Sequence, residues 1–187
     1  QKAYYGRNDA NRQRSQADAL VKSLGRKKRA AEKKGEDVAE IEAEGGIAVA
    51  CRADVTREAE IIEMLETATG RWGRLDILHN NVGISVAGGD AEISQIEGEA
   101  FDRIMAINLK SMVLAIKHAL PVMRAQQSGK IINISSTAAH EDYPWVTYKA
   151  SKAAAKSMTE QVALQNAPHG IRVNCIQPGL MNTPMAV

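Results

Sequence analysis

The chain has 187 residues, of which 44% are hydrophobic and 25% charged. These are ordinary globular proportions for one domain with a short appendage at most, and they exclude a collagen, a low-complexity repeat and a wholly disordered polymer. The net charge of +2 conceals an asymmetry: residues 1–37 carry 11 Lys and Arg against 5 Asp and Glu, whereas residues 38–187 carry 13 against 17. The chain therefore changes character near residue 37.

Apolar runs such as 47–51 and 112–116 fall far short of the roughly 18 residues a membrane span needs, so no membrane partner is expected. The opening Gln1-Lys2-Ala3-Tyr4-Tyr5 lacks the apolar core of a signal peptide, which makes the cytoplasm the expected location. Cys51 and Cys175 form neither a disulfide framework nor a metal spacing. Flanked by apolar residues, both read as small buried hydrophobes, and no metal is expected.

In residues 1–37, Ala17, Leu20, Val21 and Leu24 recur at helical spacing. Arg26-Lys27-Lys28-Arg29 and Lys33-Lys34 read as a solvated basic stretch on an exposed helix. Without interleaved aromatics or a recognition fold, the stretch does not predict a nucleic-acid partner. Gly6, Gly25 and Gly35 make no G-x-G-x-x-G or P-loop spacing, and no β-branched run precedes them.

Beyond Gly45-Gly46 the pattern becomes regular. Residues 47–51 predict a short buried strand. Thr56 predicts an N-cap, followed by a helix to about residue 69 with Ile61, Ile62, Leu65 and Ala68 on one face and with Gly70 and Gly73 at its end. A strand is expected over 75–78, then a loop, then a long helix over about 98–125 that Pro121 could kink. A strand over 130–134, a helix over 146–165 stopped by Pro168 and Gly170, and a strand over 171–176 complete the series. Strands alternating with helices predict an α/β, doubly wound, Rossmann-like parallel sheet built by right-handed crossovers. Ligands of such sheets bind at the carboxyl ends of the strands. The strand exits to examine are Asp54, 80–83, 135–136 and 178–183.

Tyr148 and Lys152 stand at i and i+4 on one predicted helix and so share a face. An ammonium beside a phenol favours the phenolate, and such a pair can pass a proton to or from a carbonyl or alcohol oxygen. Ser136 leaves a nearby strand and can polarise the same oxygen. By itself Y-x-x-x-K is a weak signal, since helices contain such pairs by chance.

The ordered set carries more. Asp54-Val55, Asn80-Asn81-Val82-Gly83, Ile107-Asn108-Leu109, Ile132-Asn133-Ile134-Ser135-Ser136, Tyr148-Lys149-Ala150-Ser151-Lys152, Arg172-Val173-Asn174 and Pro178-Gly179 follow one another at characteristic spacing. In these segments residues 38–187 resemble the short-chain dehydrogenase/reductase family. The resemblance implies NAD- or NADP-dependent oxidoreduction of a small alcohol or carbonyl substrate by a homo-oligomer, dimeric or tetrameric. It implies that Tyr148 is the general acid/base, that Lys152 lowers its pKa and holds the nicotinamide ribose, and that Ser136 orients the substrate oxygen. Asn108 would interrupt its helix and hold a water. Asp54 and Val55 would meet the adenine, and Asn80, Asn81, Val82 and Gly83 the ribose. Pro178, Gly179 and Thr183 would lie along the nicotinamide.

Val82 stands where the family usually has Ala, and His79 where it has an apolar residue. Ser136 to Tyr148 spans 12 positions, one fewer than the family's usual spacing, which Ser135 restores; Ser136 is the first choice and Ser135 the alternative. The family's opening strand and T-G-x-x-x-G-x-G turn are absent, as is the strand that selects NAD or NADP, and the chain stops just after Thr183-Pro184-Met185. The expected fold is thus incomplete at both ends, with residues 1–37 a non-family segment from a misread frame, a wrong start or a truncated copy. Two functions stay open: an oxidoreductase with a crippled cofactor site, or a non-catalytic remnant that associates through its long helices, by Met112, Leu114, Ile116, Met158 and Val162. Those residues read equally well as core. The residues over 140–145, Tyr143 and Trp145 among them, do not specify a substrate.

Overall fold

The computed structural model describes residues 30–181. The expected helical face at Ala17–Leu24, the basic run at 26–29 and Thr183 lie outside the described residues. Helix α1 (Ala30–Ala43) ends where Gly45 turns left-handed, at φ +79°. There the Gly45 and Gly46 N–H groups donate to the carbonyls of Glu42 and Ile41, a turn that meets two of the free carbonyls of the last helical turn.

Residues 47–51 form no strand and stand outside the sheet. A strand exists only through its ladder, which local apolar character cannot supply. Helix α2 (Glu58–Trp72) takes Arg57, not Thr56, as its N-cap. The Thr56 hydroxyl and N–H both donate to Asp54 Oδ1 instead, and Glu60 reaches back to accept the Asp54 N–H at 2.7 Å. Gly70 lies inside α2; the helix ends at Gly73, whose φ of +70° a Cβ would resist.

Strand β1 (Ile77–Asn80) begins two residues later than expected. The Gln126 carboxamide occupies the ladder position at Leu75, accepting its N–H and donating to its carbonyl. The long helix resolves into α3 (Gly98–Met105), a π-helical turn (Ala106–Lys110) and α4 (Ser111–Gln126), which continues through Pro121. Strand β2 (Gly129–Ile134), helix α5 (Val146–Asn166) and strand β3 (Ile171–Ile176) follow.

Among the described residues the sheet has three strands, all parallel, in the order β1-β2-β3. Each parallel pair requires a crossover, supplied by α3–α4 and by α5. Helix α4 packs on β1 and β2, α2 packs on α4, and α5 packs on β2 and β3. The core joins Ile61, Met64 and Leu65 of α2 with Ala119 and Met123 of α4 and with Leu78, Ile131 and Ile171 of the strands. Glu58 adds a surface tie: its carboxylate accepts from Lys117 and His118, both at 2.7 Å. These two partners hold its pKa below the ordinary carboxylate value.

Met112, Leu114 and Ile116 are buried, and Met158 and Val162 pack against the core. Cys51 and Cys175 are half-buried free thiols rather than fully buried ones. Among the described residues no helix is long and apolar enough to cross a membrane.

Candidate active site

The exits of β1 and β2 face the first two turns of α5. As β2 ends, successive residues turn to opposite sides. Ser135 is buried, its hydroxyl donating to the Lys152 carbonyl at 2.7 Å. Ser136 is half-buried, caps the short turn Thr137–Ala139 and stands close enough to the Tyr148 phenol to lower its pKa. The serine beside the tyrosine is therefore Ser136, and Ser135 braces the helix that carries it.

Burial raises the Tyr148 pKa above its ordinary value; the nearby Ser136 hydroxyl opposes this, and Tyr143 adds to it. The Tyr143 ring lies 5.2 Å from the Tyr148 ring, tilted by 39°, and its hydroxyl stands 3.2 Å from Ser85 Oγ. The lowered phenol pKa expected from Lys152 is not found. Lys152 Nζ lies 5.5 Å from the ring centroid and donates to the Ile134 carbonyl at 2.8 Å. Lys152 is buried, which lowers its own pKa to about 8, with Cys175 pulling the other way.

Asn108 sits at 0% exposure in the π-helical turn. Its Oδ1 accepts the Ile84 N–H, and its Nδ2 donates to the Ile84 carbonyl and to Ser151 Oγ. Ser151 in turn donates to the Tyr148 carbonyl. One carboxamide thus joins the β1 exit to the tyrosine's own turn. A Cβ on Gly83 would meet Lys152 Nζ at 3.4 Å and Asn108 Oδ1 at 3.5 Å. Gly83 therefore leaves a shallow cradle beside the ammonium.

The remaining predicted residues divide. Val55, Asn80 and Val82 line one small cavity with Ser111 and Met112. Asn80 is buried and donates to Asn133 Oδ1, whereas Asn81 is exposed. Asp54 is committed to its own turn with Thr56. The Pro178 carbonyl accepts the Thr137 N–H, and Gly179 is exposed. Among the described residues no group of three His, Cys, Asp or Glu side chains could hold a metal.

Two residues escaped the sequence reading. Ser151 lay inside a motif without a part to play. Asp90, 6% exposed, accepts the N–H groups of Thr147 and Tyr148 through its carboxylate. One signal pointed to it: Trp145, just before the helix, has no side-chain oxygen to cap it.

The fold and site are thus a parallel crossover sheet with a tyrosine, a serine and a lysine gathered at its strand exits. The model of the short chain dehydrogenase family matches residues 12–187, and the chain belongs to that family. The match runs through residue 37, where the charge balance changes. The uncharacterized oxidoreductase YxjF of Bacillus subtilis is 35% identical over 173 residues, 92% of this chain and 64% of that protein. The 2-(R)-hydroxypropyl-CoM dehydrogenase of Xanthobacter autotrophicus is 35% identical over 72% of this chain and 54% of that protein. Among solved structures, levodione reductase superposes with a TM-score of 0.79 at 30% identity, covering 86% of this chain and 61% of that one. A dehydrogenase/reductase from Sinorhizobium meliloti gives 0.76 at 35% identity, covering 83% and 61%. The chain thus spans less than two thirds of the length of these relatives.

Proposed function

We propose that this chain carries the catalytic centre of an oxidoreductase that moves hydride between NAD or NADP and a small alcohol or carbonyl substrate. The observation that carries the reading is the Tyr148 ring 5.5 Å from the buried Lys152 ammonium, with Ser136 close enough to the phenol to lower its pKa. A hydroxyl pair of this kind can hold a carbonyl oxygen from two sides, with Ser136 orienting it and Tyr148 exchanging its proton. Because burial raises the Tyr148 pKa, the phenol keeps its proton at neutral pH and serves as the acid for carbonyl reduction. Alcohol oxidation, which needs the phenolate, accelerates as pH rises.

The described residues fit the nicotinamide-ribose half of the cofactor. Lys152 Nζ gives one of its three hydrogens to Ile134 and can offer the others to ribose hydroxyls across the Gly83 cradle. Asn80, Asn81, Val82, Gly83, Pro178, Gly179 and Thr183 would border that half, and Asp54 and Val55 would meet the adenine. When bound, the dinucleotide supplies or accepts the hydride. Asn108 holds the β1 exit against Ser151. Exposed Phe101, Val113 and Leu164 on α3, α4 and α5 support association of like chains, and a cytoplasmic location belongs to the same reading.

Nicotinamide fluorescence titration with NADH and NADPH, paired with a carbonyl-reduction assay, tests the proposal. Saturable binding is expected, lost in Lys152→Ala. Tyr148→Phe is expected to lower kcat by about 10³ with binding retained. Ser136→Ala should lower kcat, whereas Ser135→Ala should chiefly lower stability, by about 1–2 kcal/mol. Absence of binding to either nucleotide would instead favour the non-catalytic remnant.

A further inference from the structure

The first turn of α5 lacks a local cap, since Trp145 at the N-cap offers no side-chain acceptor. Its opening N–H groups are met by residues more than fifty positions upstream. The Val146 N–H donates to the Ala91 carbonyl at 3.2 Å. The Thr147 N–H donates to Asp90 Oδ1 at 3.1 Å and the Tyr148 N–H to Asp90 Oδ2 at 2.7 Å. These last two are the groups that an N-cap side chain normally satisfies, and a carboxylate there also complements the helix dipole.

Asp90 can do this because its own loop is held rigidly. A Cβ on Gly88 would lie 2.6 Å from Ile84 Cδ1 and 2.9 Å from Ile104 Cγ1, so the backbone approaches both side chains closely. Gly89 has φ +88°, and the Arg103 guanidinium donates to the Gly88 carbonyl. At the other end of the loop, Asn108 clasps Ile84. The same short segment is thus fastened to the π-helical turn and to the helix that bears the tyrosine.

We propose that Asp90 is a positioning residue, which fixes the first turn of α5 so that the Tyr148 phenol stands against Ser136. This inference rests on the catalytic reading of Tyr148. Tyr148 is the third residue of the helix, so fraying of the uncapped turn moves its side chain directly. A displacement of about 1 Å at a reacting group can lower turnover by roughly 10².

The test compares Asp90→Ala and Asp90→Asn with the parent chain by amide hydrogen exchange, thermal melting, cofactor titration and steady-state kinetics. In Asp90→Ala the Thr147 and Tyr148 amides should exchange about tenfold faster or more. kcat should fall by about 10- to 100-fold, while cofactor affinity moves by less than about twofold, inside the scatter that a distant site allows. Asp90→Asn retains one acceptor oxygen and should recover part of both losses. Unchanged exchange, or faster exchange with kcat intact, would overturn the proposal. So would a parallel fall of kcat and cofactor affinity that merely tracks the melting temperature. Should the parent chain show no turnover, the catalytic reading fails by itself. A crystal structure of Asp90→Ala then decides the positioning: separated Tyr148 and Ser136 hydroxyls support it, and an unchanged contact refutes it.

Discussion

Lys152 is 3% exposed, with its ammonium on the Ile134 carbonyl and its own carbonyl under the Ser135 hydroxyl. Burial lowers its pKa from 10.5 to about 8. Below pH 8 folded and unfolded chains both hold the proton, and the fold carries the cost of the buried charge. Between about 8 and 10.5 the unfolded chain binds the proton that the folded one has lost, so stability rises with pH across that window. The displacement corresponds to a cost on the order of 3 kcal/mol near neutral pH. Lys152→Met relieves it and forfeits one hydrogen bond of about 1 kcal/mol. The variant should therefore unfold at higher urea near pH 7, by roughly 1–2 kcal/mol, with the gain shrinking towards pH 10. If Lys152→Met proves less stable than the parent chain near neutrality, the ammonium is not held at a cost. Its type and spacing were legible in the sequence; its depth was not, because burial depends on β2 and on the exit of β1. The two serines illustrate the same limit. Spacing favoured one and motif position the other, and only the turn of the backbone after β2 separates a hydroxyl facing Tyr148 from one facing the Lys152 carbonyl.

Where α4 ends, Gln127 takes φ +52°, and at the end of the short 3₁₀ turn Ala167–His169 that follows α5, Gly170 takes φ +68°. The two reversals stack: a Cβ on Gly170 would lie 2.5 Å from the Gln127 carbonyl oxygen. That neighbour is backbone, already in a left-handed turn, and cannot rotate away. Gly170→Ala combines a disfavoured φ with this clash and should lower stability by about 3 kcal/mol in chemical denaturation. A loss below about 1 kcal/mol would mean that the reversals slide apart freely. Elements bounded by such punctuation were legible. Strand β3 over Ile171–Ile176 follows Gly170 and precedes Pro178, and its expected limits coincide with the observed ones. Elements decided by distant partners were not. Strand β1 loses its first two expected residues to the Gln126 carboxamide, and residues 47–51, though apolar enough, are not in the sheet. The break in the long helix at Asn108 was legible only through the family's segment order. Nothing in the local propensities of residues 106–110 marks a π-helical turn.

Across the sheet, three buried side chains join elements that the chain visits far apart. Asn80 Nδ2 donates to Asn133 Oδ1 at 2.8 Å, and Asn133 Nδ2 donates to Thr159 Oγ1 at 2.9 Å. Thr159 passes its hydrogen to the Ala155 carbonyl inside α5. Asn80 and Asn133 are also register partners of β1 and β2, so the relay fixes which residues of the two strands lie side by side. It stands just beneath the site, since β1 leads into Gly83 and β2 into Ser136. A slip of one residue would turn every side chain of the strand to the opposite face and carry the exits with it. Asn133 is 0% exposed. Asn133→Ala would leave the Asn80 donor unmet and a void at the centre of the sheet. The expected cost is about 2–4 kcal/mol in urea unfolding. The double variant Asn133→Leu with Thr159→Val removes donor and acceptor together and should recover part of that loss, because Asn80 alone then lacks a partner. If Asn133→Ala costs less than about 1 kcal/mol, the relay is not what holds β1 against β2. If the double variant restores stability but weakens nicotinamide binding, the relay serves chiefly to keep the two exits in register.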